Sequence, residues 1–432
     1  MFSQILQKIL KFLAIKIIQK QNPQIVGITG SVGKSSAKET SSLILKTNFK
    51  VGKTWGNYNN EIGLPLTVIG KNSPGKNLLG WLIVFISGLR KSFFKIKSYP
   101  EVLVLEMAAD RPGDIRYLLK IAPCQVGVLT AIDLAHTEFF KNIEGVVKEK
   151  QNIITHLSSE HWAILNADDD KVWPLKEKTQ AKIITYGFSS QADLQILEWK
   201  IEQEVKESGL EIKGSSFKIS YQGKVVPMFL PQIISLAQIY SVLAGLAVGL
   251  TFNINLLEMA KALKDYQPLP GRLSVLKGKN KSLILDDTYN SSPRAVKSAL
   301  KTIEKINLPL NSKKWALLGD MLELGELSLK AHYQIGQEIS EMNFDYLITI
   351  GKEAKAIAQG ARQSGFKEEG IFSFNSCLGV VDFILPRIKR GDLILIKGSQ
   401  ATRMERIVKG LMSQPHLAKK YLVRQSRSWL KT

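Results

Sequence analysis

The sequence predicts an α/β protein of two domains, each built on a mostly parallel sheet. Three observations carry this. Short apolar runs alternate with helical patterns from Ile25 onward, the sign of strands joined by crossover helices. The pattern restarts beyond Pro268, Pro270 and Gly271, residues that punctuate a boundary. With 432 residues, 44% of them hydrophobic, the chain has the length of roughly two to four domains and the apolar content for large cores.

The first 20 residues, MFSQILQKILKFLAIKIIQK, place Phe2, Ile5, Leu6, Ile9, Leu10, Leu13 and Ile17 on one helical stripe. Lys8, Lys11, Lys16 and Lys20 share this stretch with no acid. The lysines interrupt what a secretory signal would need, and no small-residue cleavage site follows. The segment is too charged to span a bilayer. It reads as a helix lying on anionic lipid or docked on its own domain.

Ile25-Val26-Gly27-Ile28-Thr29 is the first strand. Leu78 to Leu89 is an apolar stretch of 12 residues, followed by Arg90, Lys91, Lys95 and Lys97 interleaved with Phe93 and Phe94. It falls short of the roughly 20 residues needed to cross a membrane, and mixed basic and aromatic residues suit a headgroup zone. Peripheral membrane contact through 1–20 and 78–97 is therefore expected. The alternative for 78–97 is a buried helix with a solvated tail.

Val102–Leu105, Val126–Leu129 and Trp162–Leu165 are further strands separated by helical windows. Residues 192–227 alternate charged and apolar residues around Gly209, Gly214 and Gly223, as in antiparallel hairpins on an edge. Residues 234–250 form an Ala/Leu/Val helix. Past the boundary, Leu283–Leu285, Trp315–Leu318, Tyr346–Ile350 and Leu393–Ile396 are strands, each followed by a helix. The expected division is a basic helix over 1–22, a central domain over 23–269 and a C-terminal domain over 270–432.

With 44% hydrophobic residues and an ordinary 22% charged, whole-chain disorder is excluded. Two cysteines, Cys124 and Cys377, can neither staple this length nor build a four-thiolate zinc site, so a reducing, cytoplasmic setting is expected. The net charge is +21, and its excess sits at the ends. Residues 1–100 hold 15 Lys/Arg against two acids, and residues 401–432 hold eight against Glu405. That pattern suits a membrane surface, nucleic acid or an anionic substrate. The chain shows no recognisable nucleic-acid module, so no nucleic-acid partner is expected, and a basic P-loop ATPase acting on nucleic acid is only a remote alternative.

The strongest local signal is Gly27-Ile28-Thr29-Gly30-Ser31-Val32-Gly33-Lys34-Ser35-Ser36, between one strand and one helix. Glycines let backbone N–H groups close around phosphate oxygens, and the helix N-terminus adds positive potential. Lys34 would reach the β- and γ-phosphates and the Ser35 hydroxyl would ligate Mg²⁺. The first position of the general motif is Ile28 rather than glycine. A P-loop enzyme needs an acid at the end of a neighbouring strand as a further magnesium ligand, and Glu106 ends Val102–Leu105.

Thr29 to Ser36 resembles the P-loop of the Mur ligases, the ATP-dependent amide-forming enzymes of peptidoglycan precursor synthesis. Gly56-Asn57-Tyr58-Asn59-Asn60-Glu61-Ile62-Gly63-Leu64-Pro65-Leu66-Thr67 resembles the D-alanyl-D-alanine-adding branch. So do Glu106 to Asp110, Asp286 to Pro293, Leu318 to Gly325 and Lys397-Gly398-Ser399, in order from about residue 25 to 412.

The resemblance implies a P-loop central domain and a Rossmann-like C-terminal domain. It implies a ligase that phosphorylates a carboxylate with ATP and then lets an amine attack the acyl phosphate, with a dipeptide and a cell-wall precursor peptide as substrates. Two Mg²⁺ ions are implied. Gly30, Ser31, Gly33, Lys34, Ser35 and Ser36 would cradle the phosphates, with Ser35 and Glu106 on one metal. His136, in Asp133 to Glu138, would lie near the second metal. A carbamylated lysine would ligate that metal, best matched by Lys150, with Lys148 the competitor. Arg272 would reach the γ-phosphate and Asp287 the ribose. Gln238 and Ser241 stand where the family places an adenine-binding pair. Asn59, Asn60, Asn290, Lys397, Ser399 and Arg403 lie where the family contacts its substrates.

One departure is at the front. The full-length ligases carry a separate domain for the uridine nucleotide, and only about 24 residues precede the P-loop here, too few for such a domain. The expectation is an acceptor held differently, such as a lipid-linked precursor. A folate, poly-amino-acid or storage-peptide ligase of the same superfamily is the rival.

Overall fold

The computed structural model describes residues 2–56, 58–133, 140, 142–206 and 209–430. The described residues form two sheets. The first runs in the order β2-β3-β1-β4-β5-β6-β7-β8-β9. Its strands are β1 (Gln24–Thr29), β2 (Val51–Lys53), β3 (Val102–Glu106), β4 (Val126–Leu129), β5 (Trp162–Asn166), β6 (Lys182–Gly187), β7 (Leu194–Lys206), β8 (Gly209–Tyr221) and β9 (Lys224–Pro231). Pairing is parallel from β2 through β7 and antiparallel from β7 through β9. The mostly parallel sheet and its antiparallel hairpin edge are the arrangement the sequence predicts.

Both faces of this sheet are covered. Along β1 and β3, Ile25, Leu103 and Leu105 join one core, while Val26, Ile28, Val102 and Val104 join the other. This is the two-residue alternation of a strand buried on both sides. The first core is closed by α1 (Phe2–Gln21), α3 (Gly63–Ile69), α4 (Leu78–Phe93) and α5 (Asp114–Ile121). The second is closed by α2 (Lys34–Leu45), by α7 (Leu236–Thr251) and by α8 (Leu256–Leu263), α7 carrying the Ala/Leu/Val run. Between them in the chain lies α6 (Ile143–Lys150).

The second sheet runs β10-β11-β15-β12-β13-β14, parallel except for the β10–β11 pair. Its strands are β10 (Ser274–Lys277), β11 (Leu283–Asp287), β12 (Lys314–Gly319), β13 (Tyr346–Ile350), β14 (Ile371–Phe374) and β15 (Leu393–Lys397). Leu285, Ala316, Leu318 and Leu395 face one core, and Ile284, Trp315, Leu317 and Ile396 the other. Leu210 of β8 and Ile234 pack into the former, so the hairpin edge of the first sheet is anchored on the second.

Four strands lie outside the sequence reading. β2 and β14 have three and four residues, and β10 and β6 begin on polar residues. Their pairing to a neighbouring strand makes them strands, because local propensity over so few residues decides little.

The amphipathic start of the chain is the helix α1, docked through Leu10, Leu13, Ala14 and Ile17, all buried. Ile5, Ile9 and Phe12, at helical spacing on another side, stay exposed. The 78–97 stretch becomes α4, capped by the Asn77 side chain accepting from Gly80 N.

Candidate active site

The loop from Gly30 to Gly33 joins β1 to α2, whose N-cap is Gly33 at φ 89°. Gly30 sits at φ +148°, and a Cβ there would fall 2.0 Å from Thr130 Oγ1 and 3.0 Å from Ala131 O. Only glycine meets both demands, left-handed backbone and close approach. Gly30→Ala is therefore expected to lower stability by at least about 2 kcal/mol, read as a drop in urea midpoint; an unchanged midpoint would show that the loop relocates freely.

The N-terminal end of α2 opens into a cleft of about 410 Å³ between the two sheets. Ser31, Lys34, Ser35 and Ser36 line it from the loop. Glu106 and Asn59 line it from the end of β3 and the segment before α3. Gln238 and Ser241 come from α7, and Arg272, Asp287, Asn290 and Lys397 from the second sheet's side. Residues more than 350 positions apart in the chain thus share one wall-to-wall space, as the ends of parallel strands do in open α/β sheets.

Lys34 Nζ donates to Gly30 O at 2.8 Å and Ser31 O at 3.2 Å. Burial pushes its ammonium below the ordinary lysine value, Glu106 opposes this, and Arg272 adds to the lowering. Glu106 is buried, and its Oε1 accepts from Asn59 Nδ2 at 3.1 Å. Its Oε2 has no hydrogen-bond partner, with Lys38 Nζ the nearest cation at 3.6 Å. A buried carboxylate oxygen without a hydrogen bond, beside a serine hydroxyl in a phosphate-binding loop, fits a hard cation that takes oxygen donors. Among the described residues no cluster of three His, Cys, Asp or Glu could hold a metal without such help, and Mg²⁺ ordinarily uses one or two carboxylates with phosphate and water.

Arg272 stacks over the Tyr289 ring at 4.0 Å, and Gln238 Nε2 donates to Arg272 O at 2.5 Å. Gln238 Oε1 is buried with no partner. Ser241 Oγ donates to Ala237 O at 2.9 Å and lies 3.4 Å from Gly33 O, so it seats the loop. Asp287 pairs with Lys397 at 2.7 Å and accepts from Leu273 N.

Lys150 is 3% exposed at the end of α6, whereas Lys148 is exposed. Burial, then the charge on Lys34, pushes the Lys150 ammonium down to about 7. Lys150 sits outside the cleft lining. So do Asn60, Ser399 and Arg403. Asn60 Oδ1 accepts from Gly63 N at the start of α3. Ser399 Oγ accepts from Leu322 N at 2.9 Å. Arg403 pairs with Glu405 at 2.7 Å and covers the Trp429 ring. His136 lies outside the described residues.

Several residues escape sequence reasoning. Asp110 lines the cleft and raises both Lys34 and Lys150. Lys38, buried in α2, stands between Glu39 and Glu106 at 3.5 and 3.6 Å. Arg294 opens α9 (Pro293–Glu304) and pairs with the fully buried Asp169 beyond β5. Ser292 Oγ donates to Asp133 Oδ2 at 2.7 Å. These last two contacts tie the second sheet's unit to the first at the edge of the cleft. Asp110, Asp133 and Ser292 lie inside stretches that carry the family resemblance without being singled out there, and Asp169 sits in an acidic run, Asp168-Asp169-Asp170, of a kind that is ordinarily solvated.

A cleft with a phosphate-binding loop on one wall and arginine, aspartate and lysine on the facing wall is the arrangement of a P-loop nucleotide-binding enzyme. The Mur ligase middle domain matches residues 86–249 and the Mur ligase glutamate ligase domain residues 271–400. UDP-N-acetylmuramoyl-tripeptide--D-alanyl-D-alanine ligase of Bacillus subtilis (strain 168) is 30% identical over 406 residues, covering 94% of this chain and 79% of the relative. The chain belongs to the Mur ligase family, in its D-alanyl-D-alanine-adding branch. The crystal structure of MurF ligase from Thermotoga maritima in complex with ADP is similar at TM-score 0.75 and 28% identity, covering 96% of this chain and 84% of that one. MurF from Acinetobacter baumannii, at TM-score 0.76, 23% identity and coverage of 92% and 79%, shares the fold.

Proposed function

We propose that this chain is an ADP-forming ligase that joins D-alanyl-D-alanine to a muramoyl-peptide precursor. The observation that carries the reading is the facing of two walls: Lys34 and Glu106 on one, Arg272, Asp287 and Lys397 on the other. ATP converts the acceptor carboxylate to an acyl phosphate, and the dipeptide amine displaces phosphate to give amide, ADP and phosphate. The electrostatic problem is a carboxylate approaching a triphosphate, which concentrated positive charge answers. Lys34 neutralises the phosphates from the loop side and Arg272 from the other. The unpartnered Gln238 Oε1 supports an acceptor role toward the adenine amino group. Ser35 and Glu106 would hold Mg²⁺, which supplies charge neutralisation when bound.

A second ion, held with His136 and a carbamate on Lys150, belongs to the same reading. Only the neutral amine reacts with carbon dioxide. Lowering a lysine to about 7 raises its neutral fraction at pH 7 from roughly three in ten thousand to about half. Buried Lys150 meets this condition, and Lys148 is exposed. The reading divides the chain into a helix over 1–22, a nucleotide-binding domain over 23–269 and a C-terminal domain over 270–432. It places the work in the cytoplasm, at the inner face of the membrane.

The test is phosphate release from ATP and Mg²⁺ across a matrix of amines and acceptors. One axis holds D-alanyl-D-alanine and single amino acids; the other holds UDP-linked and lipid-linked muramoyl peptides, folate, poly-amino-acid and DNA. Release that requires D-alanyl-D-alanine and a muramoyl peptide together is expected. Release with folate or poly-amino-acid alone would overturn the acceptor, and stimulation by DNA alone would overturn the ligase.

A further inference from the structure

Away from the cleft, α1 and α4 lie side by side. A Cβ added at Gly88 would meet Leu13 Cδ1 at 2.9 Å, so the helices approach closely there. Gln21 Nε2 donates to Lys91 O at 2.5 Å and Phe94 O at 2.7 Å, tying the two C-terminal ends together. The helices therefore run in the same direction as one surface layer. Their inner sides hold Leu10, Ile17, Trp81 and Val84, all buried.

Their outer sides are also apolar. Of the 23 large hydrophobic residues exposed among the described ones, 11 fall within 5–12 and 78–94. On α4, Leu79, Leu82, Ile83, Ile86 and Phe93 follow helical spacing and are 54–73% exposed. On α1, Ile5, Ile9 and Phe12 are 42–59% exposed. Scattered exposed apolar residues need no explanation, but a concentrated patch of this kind marks a surface that something covers.

The charge around it selects the occupant. Residues 1–21 and 62–100 together hold ten Lys/Arg and no acid, with Glu61, which accepts from Gln7 Nε2 at 3.3 Å, beside α1. A second copy would bring the same positive charge to the contact and be repelled. A bilayer of anionic lipid offers apolar depth and negative headgroups in one surface, the combination an interfacial helix requires. Phe93 and Phe94 stand among the exposed Arg90, Lys95 and Lys97 at and just beyond the end of α4, while Lys91 turns in to donate to Ile69 O, and aromatic and basic residues mix in this way at headgroup level. No helix among the described residues is long and apolar enough to cross a membrane, so the pair would lie on the surface rather than enter it.

We infer that the α1–α4 layer is a docking surface for anionic lipid bilayers. It uses no residue of the cleft, so it stands or falls apart from the ligase reading. The experiment is flotation of the full chain with vesicles of phosphatidylcholine alone and with phosphatidylglycerol added. The protein is expected to float with the anionic vesicles, to stay behind with the neutral ones, and to release as salt rises from about 0.1 M to about 1 M, where the screening length falls from about 10 Å to about 3 Å. The double variant Leu82→Gln/Ile86→Gln is expected to lower the bound fraction at least about tenfold, with thermal midpoint and phosphate release unchanged. Should that variant fold poorly, Lys8→Gln/Lys16→Gln, on exposed positions, is expected to lower binding to anionic vesicles alone. Absence of flotation, or equal flotation of wild type and both variants, would overturn the inference. So would a dimer in vesicle-free sedimentation that Leu82→Gln/Ile86→Gln dissolves, because the face would then belong to a second copy.

Discussion

Lys34→Ala lowers kcat/KM for phosphate release on the order of 10³-fold. The size follows from the charge it supplies. One unit charge about 4 Å from a phosphate oxygen, at an effective dielectric constant near 20, is worth about 4 kcal/mol, and that converts to roughly a thousandfold in rate. Lys34 Nζ rests on the loop's own carbonyls, Gly30 O and Ser31 O, and burial weakens its hold on a proton. A triphosphate in the loop reverses that bias, so the full charge is present when it is needed. Binding of ADP by calorimetry should weaken alongside turnover. Lys34→Arg keeps the charge but not the compact ammonium, and should recover only part of the loss. Activity within about threefold of wild type in Lys34→Ala would remove Lys34 from phosphate neutralisation, since no phosphate contact of this strength is that dispensable.

Lys150→Ala loses at least on the order of 10²-fold in turnover, and acetate or propionate restores part of it. The side chain is buried where an ordinary ammonium is costly, so conversion to a carbamate paired with a cation would offset that cost and would complete the proposed metal site. A short carboxylate entering the space left by alanine supplies the same oxygens. Lys148→Ala, on an exposed side chain, should stay near wild type. Two further readouts separate this from damaged folding: the thermal midpoint of Lys150→Ala, and the mass of the wild-type protein with and without bicarbonate. Full activity in Lys150→Ala, or loss in Lys148→Ala with carboxylate rescue, would move the carbamate or remove it from the mechanism.

Much of the architecture was legible because period and punctuation are local. Ile25–Thr29, Val102–Leu105, Leu393–Ile396 and their fellows are short apolar runs between turns, and each became a strand. The hairpin edge over 192–227 was legible from alternation. β2 and β14 were not, because three or four residues carry too little pattern. At the site, the loop glycines and Lys34 were legible from spacing, and Glu106 from its place at a strand end. Arg272, Asp287 and Lys397 came from resemblance, and the structure sets them on one wall. Asn60, Ser399 and Arg403 came from the same source, and the structure uses them for a helix start, a loop and an ion pair. Polar residues near a cleft often serve the chain that shapes it, and sequence position does not say which do.

By itself the sequence determined what depends on neighbours along the chain: two mostly parallel sheets, a phosphate loop between one strand and one helix, and two basic apolar segments near the start. Only the tertiary structure decided what depends on distance across it. It buried Lys150 and left Lys148 in water, though they stand only two positions apart, because a two-residue step along α6 turns the side chain about 200° around the helix axis. It paired Arg294 with Asp169 across the two sheets. It set α1 beside α4, so that two separate apolar stretches became one exposed surface. The physical reason is common to all three. Burial and charge act through space at a few ångströms, and a linear sequence specifies that spacing only after the whole chain has packed.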